Sequence, residues 1–322
     1  MRIYSPKIPF IGILFLQTLL SVFSGAQTVS NISAQYHNGQ VFIVWKNIPA
    51  CDTGFYYVYR DTLPITSSSV KTSKYLGRVL HDFGYDYRLS YSIADVNFKR
   101  YYMIVNDTPY TALDSTQNLF VTNCTTEGKQ YYYAVRCNFG SDTANWKVVM
   151  DSNATSYKVT EHLDPVKCYL QYSQFPIASE FMDIYIHYGG NIQTSTYPAL
   201  ANEGCLAFHF GIVKTGDVNG KNNCFMKFHG GNGNFIANSI ATKITGSWKI
   251  SFDDWIPAYG LDSTGYNSRW LGYSDSLDIY SVTDKSPEMK GGIVKAYTYY
   301  RLKWENYWVN KTWPNAIDSN KL

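Results

Sequence analysis

The sequence predicts a β-sandwich in residues 27–150 and a partial α/β domain in residues 151–322, behind an N-terminal export signal. Three observations support this fold class. The first half has short aromatic and β-branched runs between turn signals, the second half has strand-like runs followed by one helical pattern, and the chain begins with an apolar leader. A chain of 322 residues commonly forms two domains.

The leader, residues 1–26, has the three parts of a secretory signal peptide. Arg2 and Lys7 give a positive start, residues 8–23 are almost wholly apolar, and Ser24-Gly25-Ala26 supplies small residues for cleavage. The apolar run is shorter than the roughly 20 residues of a membrane-spanning helix. We therefore expect cleavage after Ala26 and a secreted or periplasmic protein with no membrane contact beyond export. An uncleaved N-terminal anchor is the alternative.

Charge and cysteine content limit the possible partners and sites. The formal net charge is +3, and loss of Arg2 and Lys7 with the leader lowers it by two, to +1. Nucleic-acid binding needs a dense basic patch, which this chain lacks. An even number of cysteines in an exported chain permits disulfides, but the sequence leaves their pairing open, as it does the oligomeric state. The six are Cys51, Cys124, Cys137, Cys168, Cys205 and Cys224.

The first half has the pattern of an antiparallel sandwich. Its strand-like runs, separated by turn signals such as Asn38-Gly39, are 41–46, 55–60, 100–105 and 130–136. These runs resemble a fibronectin type III domain, with Trp45 as the buried tryptophan and Tyr131 or Tyr133 as the corner tyrosine. Residues 62–95 are longer and more polar than the usual loop of that family. We expect this domain to contribute no chemistry.

The second half changes character near Asp151. Strand-like runs are followed by a helical pattern over 292–311, whose aromatic residues recur at steps of three and four, and Pro314 follows its end. Strands that give way to a helix indicate an α/β arrangement. The runs are 166–172, 181–188, 205–213 and 224–230, and the aromatic residues are Tyr297, Tyr300, Trp304, Tyr307 and Trp308.

His229-Gly230-Gly231, directly after an apolar run, is the most informative motif. Together with the strings YIHYGG, ISFDDWIP and YYRLKWENYWV, it resembles the N-terminal half of a secreted bacterial α/β-hydrolase of the esterase type. The resemblance implies that His229, Gly230 and Gly231 form an oxyanion loop, whose backbone N–H groups face the substrate carbonyl. A glycine-rich hairpin turn is the alternative.

The nucleophile that this resemblance implies is missing from the 322 residues. No G-x-S-x-G string occurs, and the nearest one, at 272–276, lacks the second glycine. Nucleophile, acid and base are therefore expected after Leu322, and the chain is interpreted as an incomplete hydrolase domain. It is either a gene fragment or a domain that has lost its catalytic half. Whether it is an enzyme stays open, and we expect negligible esterase activity.

Other polar groups give weaker signals. Asp253, Asp254 and Trp255 are expected at the rim of a substrate pocket, because adjacent carboxylates on a strand point to opposite faces. His187, His209 and His229 lie on or beside separate runs, so no metal site and no cofactor are expected. The expected partner is an ester substrate or a polysaccharide. The alternative function is a secreted module, without catalysis, that binds carbohydrate or a cell surface through exposed aromatic side chains.

Overall fold

The computed structural model describes most of the chain after the leader. The expected signal peptide lies outside the described residues, and so does Gly231. The described ranges are 29–51, 54–92, 101–138, 147–177, 180–215, 220–230, 233–236, 244–256, 266–280 and 291–318. The protein is mostly β-structure, in several antiparallel sheets.

The first half forms a β-sandwich of two sheets. Its strands are β1 (Ser30–His37), β2 (Gln40–Lys46), β3 (Phe55–Asp61), β4 (Lys74–Leu80), β5 (Ile104–Asp107), β6 (Tyr110–Ala112), β7 (Gln117–Asn123), β8 (Gln130–Asn138) and β9 (Val159–Thr160). One sheet has the order β1-β2-β7 and the other β4-β3-β8-β9, while β5 and β6 form a separate hairpin. A short 3-10 helix, Pro49–Cys51, follows β2.

Alternating aromatic and β-branched residues build the sandwich core. Trp45, on β2 of one sheet, is fully buried and packs edge-on against Tyr56, on β3 of the other, with ring centroids 5.2 Å apart. Tyr133 is also fully buried, and its hydroxyl donates to Glu161 at 2.6 Å. Glu161 also pairs with the buried Arg60 at 2.6 Å, so it holds an arginine and a tyrosine together inside the sandwich.

The second half contains a five-stranded sheet and a long helix. Its elements are β10 (Tyr169–Ile177), β11 (Glu180–Gly190), β12 (Cys205–Lys214), β13 (Asn223–Lys227), β14 (Ser247–Phe252), β15 (Trp255–Ile256), β16 (Tyr266–Asn267), β17 (Tyr273–Ser274), β18 (Val294–Lys295) and a helix, Tyr297–Thr312. The sheet order is β10-β11-β12-β14-β13, in which β13 and β14 are parallel and the other pairs antiparallel.

The predicted runs match the strands closely in most places. The run 100–105 is replaced by a strand that begins only at Ile104. The helix begins at Tyr297 instead of 292, since Gly291 and Gly292 take positive φ angles and a short strand follows them. The strands β4, β7 and β9 were not predicted.

The predicted helical face is wrong in part. The buried residues of the long helix include Arg301 and Glu305 as well as Trp304, whereas Tyr300 and Tyr307 are 49% and 55% exposed. Aromatic periodicity misleads here because the helix also packs two long polar side chains, Arg301 and Glu305, against the sheet. Its half-exposed tyrosines instead border a cleft.

The two halves share one continuous core. A short helix, α1 (Tyr87–Ser92), lies between β4 and β5. Asp86, just before it, accepts a hydrogen bond from His209 of β12 at 2.8 Å. Gln40 of β2 donates to the Tyr188 carbonyl of β11 at 2.8 Å. The strand pairing of the first half also continues to Thr160, beyond the boundary expected at residue 150. The long helix, Tyr297–Thr312, is hereafter α2.

One disulfide joins the sandwich. It links Cys51, after β2, to Cys137 of β8 across 86 residues of sequence. The other four cysteines, Cys124, Cys168, Cys205 and Cys224, are buried free thiols. Within the described part of the chain, no helix is long and apolar enough to span a membrane.

Candidate functional site

The candidate site lies where two neighbouring parallel strands end. His229 follows β13, and Asp253 and Asp254 follow β14. Because the carboxyl ends of parallel strands meet at one edge of a sheet, the loop after β13 lies against the residues after β14. In open α/β sheets this edge is where ligands bind.

Both aspartates lie against the His229 imidazole, and Asp253 forms a hydrogen bond with it. Its Nε2 lies 3.0 Å from Oδ1 of Asp253 and 3.2 Å from Oδ1 of Asp254, and all three side chains are buried. The aspartates lie beyond β14, so strand alternation does not separate them. Their carboxylates converge on one imidazole.

Burial and charge act in opposite directions on these groups. Burial alone would lower the pKa of His229, but the hydrogen bond and charge of Asp253 outweigh it and raise the pKa above its ordinary value. Burial alone would raise the pKa of Asp253, yet the Arg88 charge and the His229 hydrogen bond hold that pKa well below its usual range. Burial raises the pKa of Asp254, and the neighbouring Asp253 charge adds to the effect.

Two arginines complete the buried network. Arg88, from α1 of the first half, donates from Nε and from Nη2 to the two carboxylate oxygens of Asp253, at 2.5 Å and 2.8 Å. Arg301, from α2, donates to the backbone carbonyl of Asp253. The sandwich half therefore contributes a charged side chain to the support of the loop.

The outer part of the loop is fixed by tryptophans. The Trp270 ring lies over His229 with centroids 4.8 Å apart, and its Nε1 donates to the His229 carbonyl at 3.2 Å. Trp255 donates from Nε1 to the Gly233 carbonyl at 2.9 Å. The loop closes on itself through a hydrogen bond of 3.0 Å from the Gly233 N–H to the Gly230 carbonyl.

Gly230 is exposed at the tip of this rigid loop. Among the described residues, a Cβ added there would meet no atom within 4 Å, and its φ lies outside the left-handed region. Its backbone N–H likewise has no hydrogen-bond acceptor in the described part of the chain. Gly230 thus offers an N–H donor that no described residue uses. By contrast, a Cβ at Gly233 would come within 2.8 Å of the His229 Cβ.

The cluster also has the composition of a metal site. Ligand atoms of His229, Asp253 and Asp254 all lie within 4.8 Å of one another. Arg88, however, already donates to both oxygens of Asp253, and a cation bound there would lie beside this guanidinium. We therefore interpret the cluster as a hydrogen-bonded support that fixes the loop.

The structure brings together some of the predicted site residues and separates others. Asp253, Asp254 and Trp255 were expected at the rim of a pocket, and the structure buries all three beside the His229 loop. Sequence reasoning missed Arg88, Arg301 and Trp270. Arg88 lies 165 residues from Asp253, and no local pattern could connect the two. Arg301 was missed because the helix was interpreted from its aromatic residues alone.

His187 belongs to a second buried cluster. Its Nδ1 lies 2.9 Å from the Tyr197 hydroxyl, which itself donates to the Tyr188 carbonyl, so the Nδ1–H is the donor to Tyr197. Nε2 is then unprotonated, and Glu305, 2.7 Å away, must carry the proton between them. Burial raises the pKa of Glu305 to about 8, in agreement with a neutral carboxylic acid.

Comparisons of this chain with protein-family models, with curated proteins and with solved structures find no match. The residues and their geometry are therefore the basis for a functional proposal.

Proposed function

We propose that this is an exported protein in which a fibronectin type III-like sandwich is joined to the oxyanion-loop half of an esterase-type α/β-hydrolase domain. The single observation that carries the proposal is the loop at His229-Gly230, which follows one parallel strand, is anchored rigidly from beneath and presents a free backbone N–H. An oxyanion hole needs donors of this kind, fixed before the reaction.

The sandwich topology supports the first part. A three-stranded sheet β1-β2-β7 faces a four-stranded sheet β4-β3-β8-β9, and a fibronectin type III domain has two antiparallel sheets in the same way. The burial of Trp45 and Tyr133 is a second observation in favour of that resemblance. The Cys51–Cys137 disulfide is compatible with an oxidising compartment and hence with export.

The path of the chain after β14 supports the second part. From β14 the chain runs through α2 and returns to the outer edge of β13, where Ile317 forms a parallel bridge with Asn222. Backbone hydrogen bonds of 2.9 Å and 3.0 Å join Asn222 to Ala316 and Asp318. In the family that the sequence resembles, a turn at this point leads into the strand before the nucleophile.

The role of each residue follows from its position. The Gly230 N–H, with that of Gly231, would donate to the oxyanion of an acyl-transfer intermediate, and each such donor typically lowers the barrier by about 3–4 kcal/mol. His229, Asp253 and Arg88 act as positioning residues that hold the loop. No G-x-S-x-G string occurs among the 322 residues, so the proposal expects the serine nucleophile, with its acid and base, outside them. The substrate class is an ester.

The gene sequence beyond codon 322 tests this proposal. We expect a G-x-S-x-G string within about 15 codons of Leu322, in any reading frame, because a nucleophile elbow follows its strand immediately. A long downstream sequence without that string would contradict the interpretation of the chain as a gene fragment. Turnover of p-nitrophenyl acetate above a buffer blank by residues 27–322 alone would contradict the placement of the nucleophile.

A further inference from the structure

We propose that a cleft between α2 and residues 193–198 binds an acidic polysaccharide, one whose sugar rings carry carboxylate or sulfate groups. The cleft has a volume of about 720 Å³, within the range of ligand sites. It shares no lining residue with the His229 loop and its supports, so this inference does not depend on the hydrolase proposal.

Aromatic side chains form one wall of the cleft. Tyr300 and Tyr307 line it and are 49% and 55% exposed, while Trp304 lies buried between them at its base. The two tyrosines are seven residues apart on one helix, a rise of about 10.5 Å. The apolar C–H face of a sugar ring packs well on the face of an aromatic ring, whose electron density is negative. The spacing suits successive rings of a chain better than one monosaccharide.

Charge selects the kind of saccharide. Lys303 and Lys311 line the same wall, and no aspartate or glutamate lines the cleft. Neither lysine forms an ion pair with a carboxylate of the described residues, and the Lys311 ammonium lies over the Tyr307 ring, 5.7 Å from its centroid. Two ammonium groups without a carboxylate partner in this part of the chain are complementary to anionic groups on a sugar chain. They are too few for the phosphate backbone of a nucleic acid, where affinity depends on many neutralised charges.

The opposite wall offers neutral polar groups. Gln193, Ser195 and Thr196 line it, and their side chains have no hydrogen-bond partner within the described part of the protein. These amide and hydroxyl groups can donate to and accept from sugar hydroxyls. The backbone of this wall is fixed, because the Thr194 hydroxyl accepts from the Tyr197 N–H at 2.9 Å.

The base of the cleft is preformed. Tyr197 packs edge-on against Trp304 with centroids 4.7 Å apart, and His187 lies 5.0 Å from the Trp304 ring. The buried Glu305 donates to His187 and thereby fixes this group from beneath. Because these side chains are already ordered, the protein loses less conformational entropy when a ligand binds, and the affinity is higher.

The test measures binding of the full chain by affinity electrophoresis and titration calorimetry. The probes are polygalacturonate, neutral xylan, and polyglutamate as an anionic polymer without sugar rings. We expect binding to polygalacturonate, at least tenfold weaker binding to the other two, and loss of affinity as salt rises, because the charge contribution is screened.

Variants assign the binding to the cleft. Tyr307→Ala should weaken polygalacturonate binding about tenfold, on the scale of the roughly 1–3 kcal/mol that stacking of one planar nucleobase on an aromatic ring contributes. Lys303→Gln should weaken it several-fold. Tyr110→Ala is the control, because Tyr110 is 60% exposed on the β5–β6 hairpin and does not line the cleft.

Three outcomes would overturn the proposal. No binding to polygalacturonate would exclude an acidic polysaccharide of this kind. Equal binding to polyglutamate would show attraction by charge alone. An equal effect of Tyr110→Ala and Tyr307→Ala would place the binding outside the cleft. All of these are independent of ester hydrolysis, so failure here leaves the hydrolase proposal standing.

Discussion

The buried pair of Arg88 and Asp253 joins the two halves beneath the loop, and its loss should destabilise the whole protein. In Arg88→Met the apolar volume is kept, but Asp253, 2% exposed, loses a bidentate partner whose atoms lie at 2.5 Å and 2.8 Å. Removal of one member of a buried ion pair costs about 3–5 kcal/mol, because the other charge stays buried. We expect the free energy of unfolding, measured by urea denaturation at pH 7, to fall by this amount.

The same variant should change the titration of His229. Arg88 partly neutralises the Asp253 charge that stabilises the protonated His229. Without Arg88, the pKa of His229, which is already raised, should rise further, and an NMR titration of the imidazole would measure the change. Lys167→Met is the control, because its pair with Asp107 is partly exposed and should contribute about 1 kcal/mol or less. An Arg88→Met variant within about 1 kcal/mol of the native chain would refute this account of the network.

Three further predictions concern other sites. The Glu305 carboxyl binds its proton more tightly in the folded protein, with a pKa of about 8 against an ordinary value of 4.5, so its contribution to stability falls as pH rises between these values. In the native chain this makes the free energy of unfolding fall by about 1.4 kcal/mol per pH unit at pH 5–8, and Glu305→Gln should remove that dependence. Equal pH dependence in the native chain and the variant would contradict this prediction. Measured by calorimetry, Gly230→Ala should leave the melting temperature unchanged, whereas Gly39→Ala should lower it sharply. The Cβ added at Gly39 would lie 2.1 Å from the Asp164 carbonyl oxygen, and the φ of +76° disfavours a side chain. Similar melting temperatures for the two variants would contradict the described conformation of the Gly230 loop. The Cys51–Cys137 disulfide closes a loop of 86 residues, so its reduction should lower the free energy of unfolding by about 4–5 kcal/mol. Denaturant titrations with and without reductant measure this difference, and no difference would mean that the disulfide does not form in solution.

Much of the fold could be predicted from the sequence because its signals are local. The runs that became β2, β3, β8, β11 and β12 combine aromatic and β-branched residues between turn signals, and each lies in a sheet. The strand β9 was missed because two residues carry no periodicity. The second half was predicted as a partial α/β domain, and that stays a prediction, because its large sheet is mainly antiparallel with one parallel pair and one long helix.

The candidate site could be predicted only in part. His229-Gly230 was visible as a short motif after an apolar strand, which is a local signal. The convergence of Asp253 and Asp254 on His229 depends on the parallel pairing of β13 with β14, and spacing along the chain does not reveal it. Arg88 depends on the packing of α1 against the second half. A long polar stretch at 62–95 was the only hint that this segment had another role.

The central claim is that Gly230 supplies an oxyanion donor in an esterase-type domain. Its most direct test joins residues 27–322 to the polypeptide encoded immediately downstream and measures hydrolysis of p-nitrophenyl acetate. The account predicts turnover by the joined protein and a loss of about 100- to 1,000-fold in kcat for Gly230→Pro, which removes the N–H. A joined, folded protein without turnover, or one in which Gly230→Pro hydrolyses the ester at the native rate, would contradict the claim.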